Sequence, residues 1–241
     1  MPADLRGKVA LVTGVSRPGQ VGPAVARGCG RAGARVVIAG RDAAALAERE
    51  RELAAEGIAV AAAAGDLTTP EAARRAVAVA RERFGGLDAV INVAGGLLNV
   101  APALELGPAE FARELAANVQ TTFVMCQAAI PALLERGGGA VVNFASVALR
   151  KPQSRMAAYI AAKAAVAGLT RALAREFRDR GVRVNAVAPG VVKTAANLAQ
   201  LGDANVRWVE LDDLVAAVLY LASDDARGVT GEVLAVTGGD V

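Results

Sequence analysis

The stretch Lys8-Val-Ala-Leu-Val-Thr-Gly-Val-Ser-Arg-Pro-Gly-Gln-Val-Gly22 decides how the chain is read. Residues 8–13 hold an unbroken apolar run, Val9-Ala-Leu-Val12, closed by a threonine. Such a run is the mark of a strand buried on both faces. Glycines at 14, 19 and 22 follow, and a helical pattern covers 22–32. Glycines let the backbone turn sharply and come close to a ligand. The start of the helix then offers free N–H groups and the positive end of its dipole, a setting for a pyrophosphate. An ordinary tight turn would read the same way in isolation. Its place after the first strand of a βαβ unit gives the phosphate reading its weight.

The same alternation continues outward from this stretch. Strands are expected at 35–39, 58–64, 88–92, 140–145, 183–188 and 231–236. Helices are expected at 42–56, from Thr69-Pro70-Glu71 onward, at 108–135, at 156–180 and at 211–223. Asp42 is placed to cap its helix, and Pro70 takes the first helical position, where its missing N–H costs nothing. Gly181 ends the 156–180 helix, and Pro131 is expected to bend the 108–135 helix. Seven apolar strands separated by helices predict an α/β fold: one Rossmann domain over 1–241, with a seven-stranded parallel sheet and helices on both faces.

Composition narrows the function. Hydrophobic residues make up 54% of the chain, much of it alanine. No apolar run reaches the roughly 20 residues of a membrane span, and the start does not read as a signal peptide. A cytoplasmic protein with no membrane partner is expected. Net charge is +3 and aromatics are 3%, which argues against a nucleic-acid partner. Cys29 and Cys126 make no disulfide framework. There is no histidine, so histidine-based nucleophile systems are excluded, and no metal site is expected.

In such a fold ligands sit at the carboxyl ends of the strands. The second strand ends Ala39-Gly40-Arg41, without the acidic residue that would hold the 2′-hydroxyl of NAD. Arg41, with Arg17 in the glycine loop, offers guanidinium forks suited to a 2′-phosphate. NADP(H) is therefore favoured over NAD(H); the alternative is that Arg41 is a solvated helix-start residue or pairs with Asp42 or a nearby glutamate. Asp66, followed by Leu67, ends the third strand, and Asn92-Val-Ala94-Gly95 ends the fourth. Asp66 could accept from an adenine amino group or cap its loop. Asn92 could tie neighbouring strands together, and the small Ala94-Gly95 pair lets a ribose lie close.

Ser146 stands just past the fifth strand. Tyr159 and Lys163 are four apart, on one face of one helix. A phenol is a weak acid at neutral pH, and a nearby cation is expected to lower its pKa into a range useful for proton transfer. Ser146 could hold a substrate oxygen. A snorkelling lysine beside a packed tyrosine would look the same in isolation.

Thr13-Gly14, Asn92-Val-Ala-Gly95, Asn118, Ser146, Tyr159-x-x-x-Lys163 and Pro189-Gly190 together resemble the short-chain dehydrogenase/reductase family over essentially the whole chain. That resemblance implies catalytic roles for Asn118, Ser146, Tyr159 and Lys163. Tyr159 would be the acid/base, Lys163 would bind the nicotinamide ribose, and Asn118 would hold a relay water. Cofactor contacts would come from Gly14, Ser16, Arg17, Gly19, Val21 and Gly22, from Arg41, Asp66, Leu67, Asn92, Ala94 and Gly95, and from Tyr159, Lys163, Pro189, Gly190, Val192 and Thr194. The implied reaction is ketone–alcohol interconversion on a small molecule, with a 3-oxoacyl thioester as one candidate. Arg136 and Arg180 would then be a dock for an acidic acyl carrier protein, or else solvated charges. A catalytically silent scaffold or an NAD-dependent alcohol or sugar dehydrogenase are the competing readings.

Two departures from the family pattern stand out. The glycine loop is one residue longer than Thr-Gly-x-x-x-Gly-x-Gly. The segment between Pro189-Gly190 and Leu211 is short, which predicts an open pocket or one completed by another subunit, with Trp208 packed against the sheet. The alanine-rich helices at 108–135 and 156–180 predict a homo-oligomer, a tetramer.

Overall fold

The computed structural model describes residues 3–202 and 205–240. Seven strands form one parallel sheet: β1 (Val9–Thr13), β2 (Arg35–Gly40), β3 (Val60–Ala64), β4 (Ala89–Asn92), β5 (Gly139–Phe144), β6 (Val182–Pro189) and β9 (Val233–Val236). Their order is β3-β2-β1-β4-β5-β6-β9, and every pairing is parallel. The chain thus runs outward from β1 to one edge, returns to β4, and continues to the other edge. The topological switch lies between β1 and β4, where the carboxyl ends open a crevice.

Alternate side chains of each strand feed opposite cores, as the pleat requires. Ala10 and Val12 of β1, with Val36 and Ile38 of β2, pack toward α1 (Val21–Arg31) and α8 (Leu211–Ala222). Val9, Leu11 and Val37 face the opposite way, toward α3 (Pro70–Phe84) and α5 (Thr121–Glu135). This is why the strands read as continuous apolar runs.

The local signals behave as expected. The Asp42 carboxylate accepts from Ala45 N at 3.0 Å and caps α2 (Ala43–Ala55), and the Thr69 hydroxyl caps α3 with Pro70 in its first turn. Gly181 stops the chain after α6 (Ala157–Phe177) and a short 3₁₀ turn, with φ 77°. Strand bounds differ from the sequence reading by one or two residues.

Three differences are larger. The 108–135 region is broken at 116–120, not at Pro131. Here α4 (Pro108–Leu115) passes through a π-helical turn, Ala116–Gln120, into α5, which runs helical through Pro131. At this turn Thr121 N bonds the Ala116 carbonyl, and the Asn118 amide takes the Glu114 carbonyl at 3.0 Å. Side-chain insertion of this kind into the helical ladder produces such turns. Second, the short segment after Pro189 carries elements that the sequence reading did not assign. It holds β7 (Val191–Val192), α7 (Ala195–Leu201) and β8 (Trp208–Val209), and β7 and β8 pair in a separate small ribbon. Trp208 lies in β8 of that ribbon. Third, residues 157–180 are long and apolar enough to cross a membrane by length and composition. In this fold the apolar face of α6 serves packing: Ala158, Ala162, Val166 and Ala174 are buried, and α6 lies on β6.

Candidate active site

The glycine loop connects β1 to α1. Gly14 has φ 75°, and a Cβ there would lie 2.9 Å from Ala94 N. A Cβ on Gly22 would lie 2.1 Å from the Gly14 carbonyl. These two positions therefore require glycine, and the turn is held against the end of β4. Thr13, fully buried, accepts from Ala94 N at 2.9 Å and joins the two strand ends. No side chain caps the start of α1, so its first N–H groups are left for a ligand. The cradle fits a dinucleotide pyrophosphate. The lengthened loop places Gly19 against the start of α7, where the Gly19 carbonyl accepts from Ala195 N at 3.1 Å.

At the end of β2, a Cβ on Gly40 would lie 2.5 Å from the Ser16 hydroxyl oxygen. The serine occupies the space that an acidic side chain would need. This contact also brings Ser16-Arg17 beside Gly40-Arg41. Arg17 and Arg41 are exposed, and neither is in an ion pair among the described residues.

Several residues expected to contact the cofactor also have structural partners. Asn92 is buried and donates to the Asn143 side chain at 2.9 Å, which in turn donates to Thr170 at 3.0 Å. It ties β4 to β5 and α6. Leu67 packs in the core, and the Asp66 carboxylate accepts from Thr68 N and its hydroxyl, capping the loop. Val21 packs against the core. The Thr194 hydroxyl caps α7 at Asn197 N, and Gly190 N is bonded to the Val236 carbonyl. Pro189 closes β6, and Val192 lies in β7.

Ser146, Tyr159 and Lys163 do converge. Ser146 follows β5; its hydroxyl accepts from Ala148 N at 3.2 Å and lies near enough to the Tyr159 phenol to favour its ionisation by hydrogen bonding. Lys163 is buried and donates to the Phe144 carbonyl at 2.8 Å. Its Nζ lies 5.7 Å from the centre of the Tyr159 ring. Burial pulls the Lys163 ammonium down to about 8, against the opposing charge of Glu114. Burial also pushes the Tyr159 phenol above its ordinary value; the Ser146 hydrogen bond works against this, and the Glu114 charge adds to it. The expected lowering of the phenol by Lys163 is therefore corrected. The ammonium is committed to a main-chain carbonyl, and desolvation of the phenol outweighs what Ser146 does to lower it.

The Asn118 side chain is also fully engaged. Its Oδ1 accepts from Gly96 N at 3.0 Å, and its Nδ2 donates to the Gly96 carbonyl and to Glu114. A relay water would be left with the Asn118 carbonyl, which already accepts from the Thr122 hydroxyl at 2.7 Å. Sequence reasoning passed over Glu114, although it stands one helical turn before Asn118. It also passed over Thr13 as a strand-end tie and the Phe144 carbonyl as the partner of Lys163.

The suggested carrier dock does not lie beside this site. Arg136 pairs with Asp88 at 3.1 Å, and Arg180 stacks on Phe177 at 5.5 Å. Both precede the strands β5 and β6, so they lie at the amino end of a sheet whose carboxyl end carries Ser146. That is about 20 Å away along a six-residue strand.

Comparison with known proteins agrees with this geometry. Residues 8–204 match the family described as short chain dehydrogenase. D-threitol dehydrogenase of Mycolicibacterium smegmatis is 36% identical, over 98% of this chain and 93% of that protein. A gluconate 5-dehydrogenase from Burkholderia cenocepacia, solved with NADP and tartrate, superposes with a TM-score of 0.90 at 31% identity, over 98% of this chain and 96% of that one. A 7 alpha-hydroxysteroid dehydrogenase complexed with NADH and 7-oxo glycochenodeoxycholic acid gives 0.91 at 28% identity, over 99% and 96%. The chain belongs to the short-chain dehydrogenase family and is an oxidoreductase acting on the alcohol–carbonyl pair.

Proposed function

We propose that the protein is an NADP(H)-dependent reductase of ketones, with Tyr159 as general acid and Ser146 and Lys163 as its partners. The observation that carries the reading is the convergence of Ser146, at the carboxyl end of β5, with Tyr159 and Lys163 of α6. The bound cofactor supplies the hydride. The Ser146 hydroxyl donates to the substrate carbonyl oxygen and orients it. Tyr159, held in its protonated form by burial, gives its proton to that oxygen as negative charge builds there. Lys163 holds a positive charge under the ring and has further donors for the ribose hydroxyls. In the reverse direction the same phenol, once ionised, takes the alcohol proton.

The 2′-phosphate preference rests on the filled space at Gly40 and on the unpaired guanidinium groups of Arg17 and Arg41. Relatives bind either dinucleotide, as the NADP and NADH complexes illustrate. Arg41→Ala is expected to weaken NADPH binding by roughly tenfold to a hundredfold, the value of one or two charge-assisted hydrogen bonds, and to leave NADH nearly unchanged. Fluorescence titration with both nucleotides checks this; equal losses would overturn it. Leu97, Leu98 and Val100 are exposed on the loop after β4, which is tied to Arg155 just before Tyr159 through Ala101 N. They favour an apolar ketone over a polyol or a carrier-bound thioester. Turnover of cyclohexanone with NADPH, but not of a sugar acid, is the supporting result.

We also propose a tetramer, in the cytoplasm. Phe111 and Phe123 are exposed on α4 and α5, while Tyr220 and Leu234 are exposed beside the sheet edge at β9. These are two separate apolar patches, and an edge strand is itself a pairing site. Dihedral symmetry uses two such interfaces. Light scattering at micromolar concentration is expected to give four times the 24.4 kDa of one chain. A monomer mass would overturn the proposal.

A further inference from the structure

Glu114 is a fully buried glutamate on α4, and no step above uses it. A buried acid is costly unless hydrogen bonds compensate it. Here one carboxylate collects donors from two directions. Leu98 N reaches both of its oxygens, at 3.2 and 3.1 Å. Asn99 N lies at 3.2 Å and the Asn99 side-chain amide at 3.5 Å. The Asn118 amide approaches at 3.3 Å. Among the described residues its hydrogen bonds all come from N–H donors, so the group accepts throughout, as a carboxylate does. Glu114 therefore ties the loop after β4, which carries Leu97 and Leu98, to the π-helical turn that holds Asn118.

We infer that Glu114 is a positioning residue of this site, a fixed negative charge that faces Tyr159 and Lys163 while it holds the 96–99 loop in place. The inference rests on the proposed roles of Tyr159 and Lys163. Helix α4 packs on α6, the element that carries both. Among the described ionisable groups of α6, its charge bears on Tyr159 and Lys163. The loop Gly95-Gly-Leu-Leu-Asn-Val-Ala-Pro102 brings no ionisable side chain. On α4 itself Arg113 faces Glu110, at 4.0 Å, and both are largely exposed. The negative charge favours the ammonium form of Lys163 and disfavours the phenolate of Tyr159. It thereby keeps the two in the protonation states that carbonyl reduction needs.

The chain has two tyrosines, so a Tyr220→Phe background leaves Tyr159 as the one titrating phenol. Its ultraviolet titration needs neither cofactor nor substrate, so it decides the role of Glu114 even if no ketone is turned over. Failure of the ketone assay alone would count against the proposed function. In that background Glu114→Gln is expected to lower the phenol midpoint by about one pH unit, within the usual effect of a neighbouring charge. The alkaline limb of reduction should move down by the same amount. Glu114→Asp keeps the charge but draws it back by one methylene, so a smaller shift in the same direction is expected. It carries the test if the glutamine variant does not fold. A role limited to holding the loop would lower kcat in both variants without moving the phenol. An unchanged midpoint in a folded variant would overturn the inference.

Discussion

Replacing Tyr159 by phenylalanine is expected to lower turnover by about a thousandfold, the middle of the range for a positioned general acid. The substitution removes one hydroxyl and leaves the ring. The ring sits on the same face of α6 as Lys163, within 5.7 Å of its ammonium, and that packing survives the change. The glycine cradle lies on other elements, so NADPH affinity should stay within about twofold of the wild type, less than the value of one ordinary hydrogen bond. Ser146 would keep its bond to Ala148 N. Steady-state rates with a turned-over ketone, beside a nucleotide titration, separate the two effects. Turnover within tenfold of wild type would remove Tyr159 from the chemistry. A parallel collapse of NADPH affinity would instead mean that the hydroxyl serves the fold of the site.

Lys163→Met is expected to cost turnover about a hundredfold while raising stability at neutral pH, because a charged group that serves the site is held there at the expense of the fold. Burial lowers the folded-state pKa of Lys163 from the ordinary 10.5 to about 8. The unfolded chain therefore binds more protons than the folded one between those two values. Stability rises with pH across that window. Below pH 8 the folded state bears the whole cost of the buried ammonium, about 3 kcal/mol for a shift of this size. Methionine removes that cost but leaves the Phe144 carbonyl without its donor, a loss of about 1–2 kcal/mol. A net gain of about 1–2 kcal/mol at pH 7 is the difference, shrinking to nothing or reversing by pH 10. Urea unfolding at pH 7 and pH 10 measures both ends. A variant destabilised at pH 7 would show that Lys163 supports the fold rather than straining it.

Much of the fold was legible because its signals are local. The glycines at 14 and 22 were read from their place after a strand, and the structure gives each a close backbone neighbour that excludes a side chain. The Tyr159–Lys163 spacing needed only the helical period. The 108–135 region is less legible. Proline has a known effect on helices, so the sequence points to Pro131 as the bend. The break instead arises at Asn118, whose amide meets the loop after β4, a segment some twenty residues earlier in the chain. Arg136 and Arg180 stood near helix ends and could be read either as a dock or as solvated charges. Their place at the amino end of the strands, engaged by Asp88 and Phe177, depends on the sheet being assembled.

By itself the sequence determined the order of strands and helices, the glycine turn, and the register of tyrosine and lysine on one helix. Each of these follows from periodicity and backbone preference over a few residues. The protonation chemistry of the site was decided by tertiary structure. Tyr159 was expected to be acidified by Lys163, yet its phenol is raised, because pKa responds to burial and to every charge nearby. The amino group that was to acidify it is bonded to a carbonyl nineteen residues earlier. The charge that opposes its ionisation comes from Glu114, on another helix, and only the packing of α4 on α6 brings that carboxylate to bear.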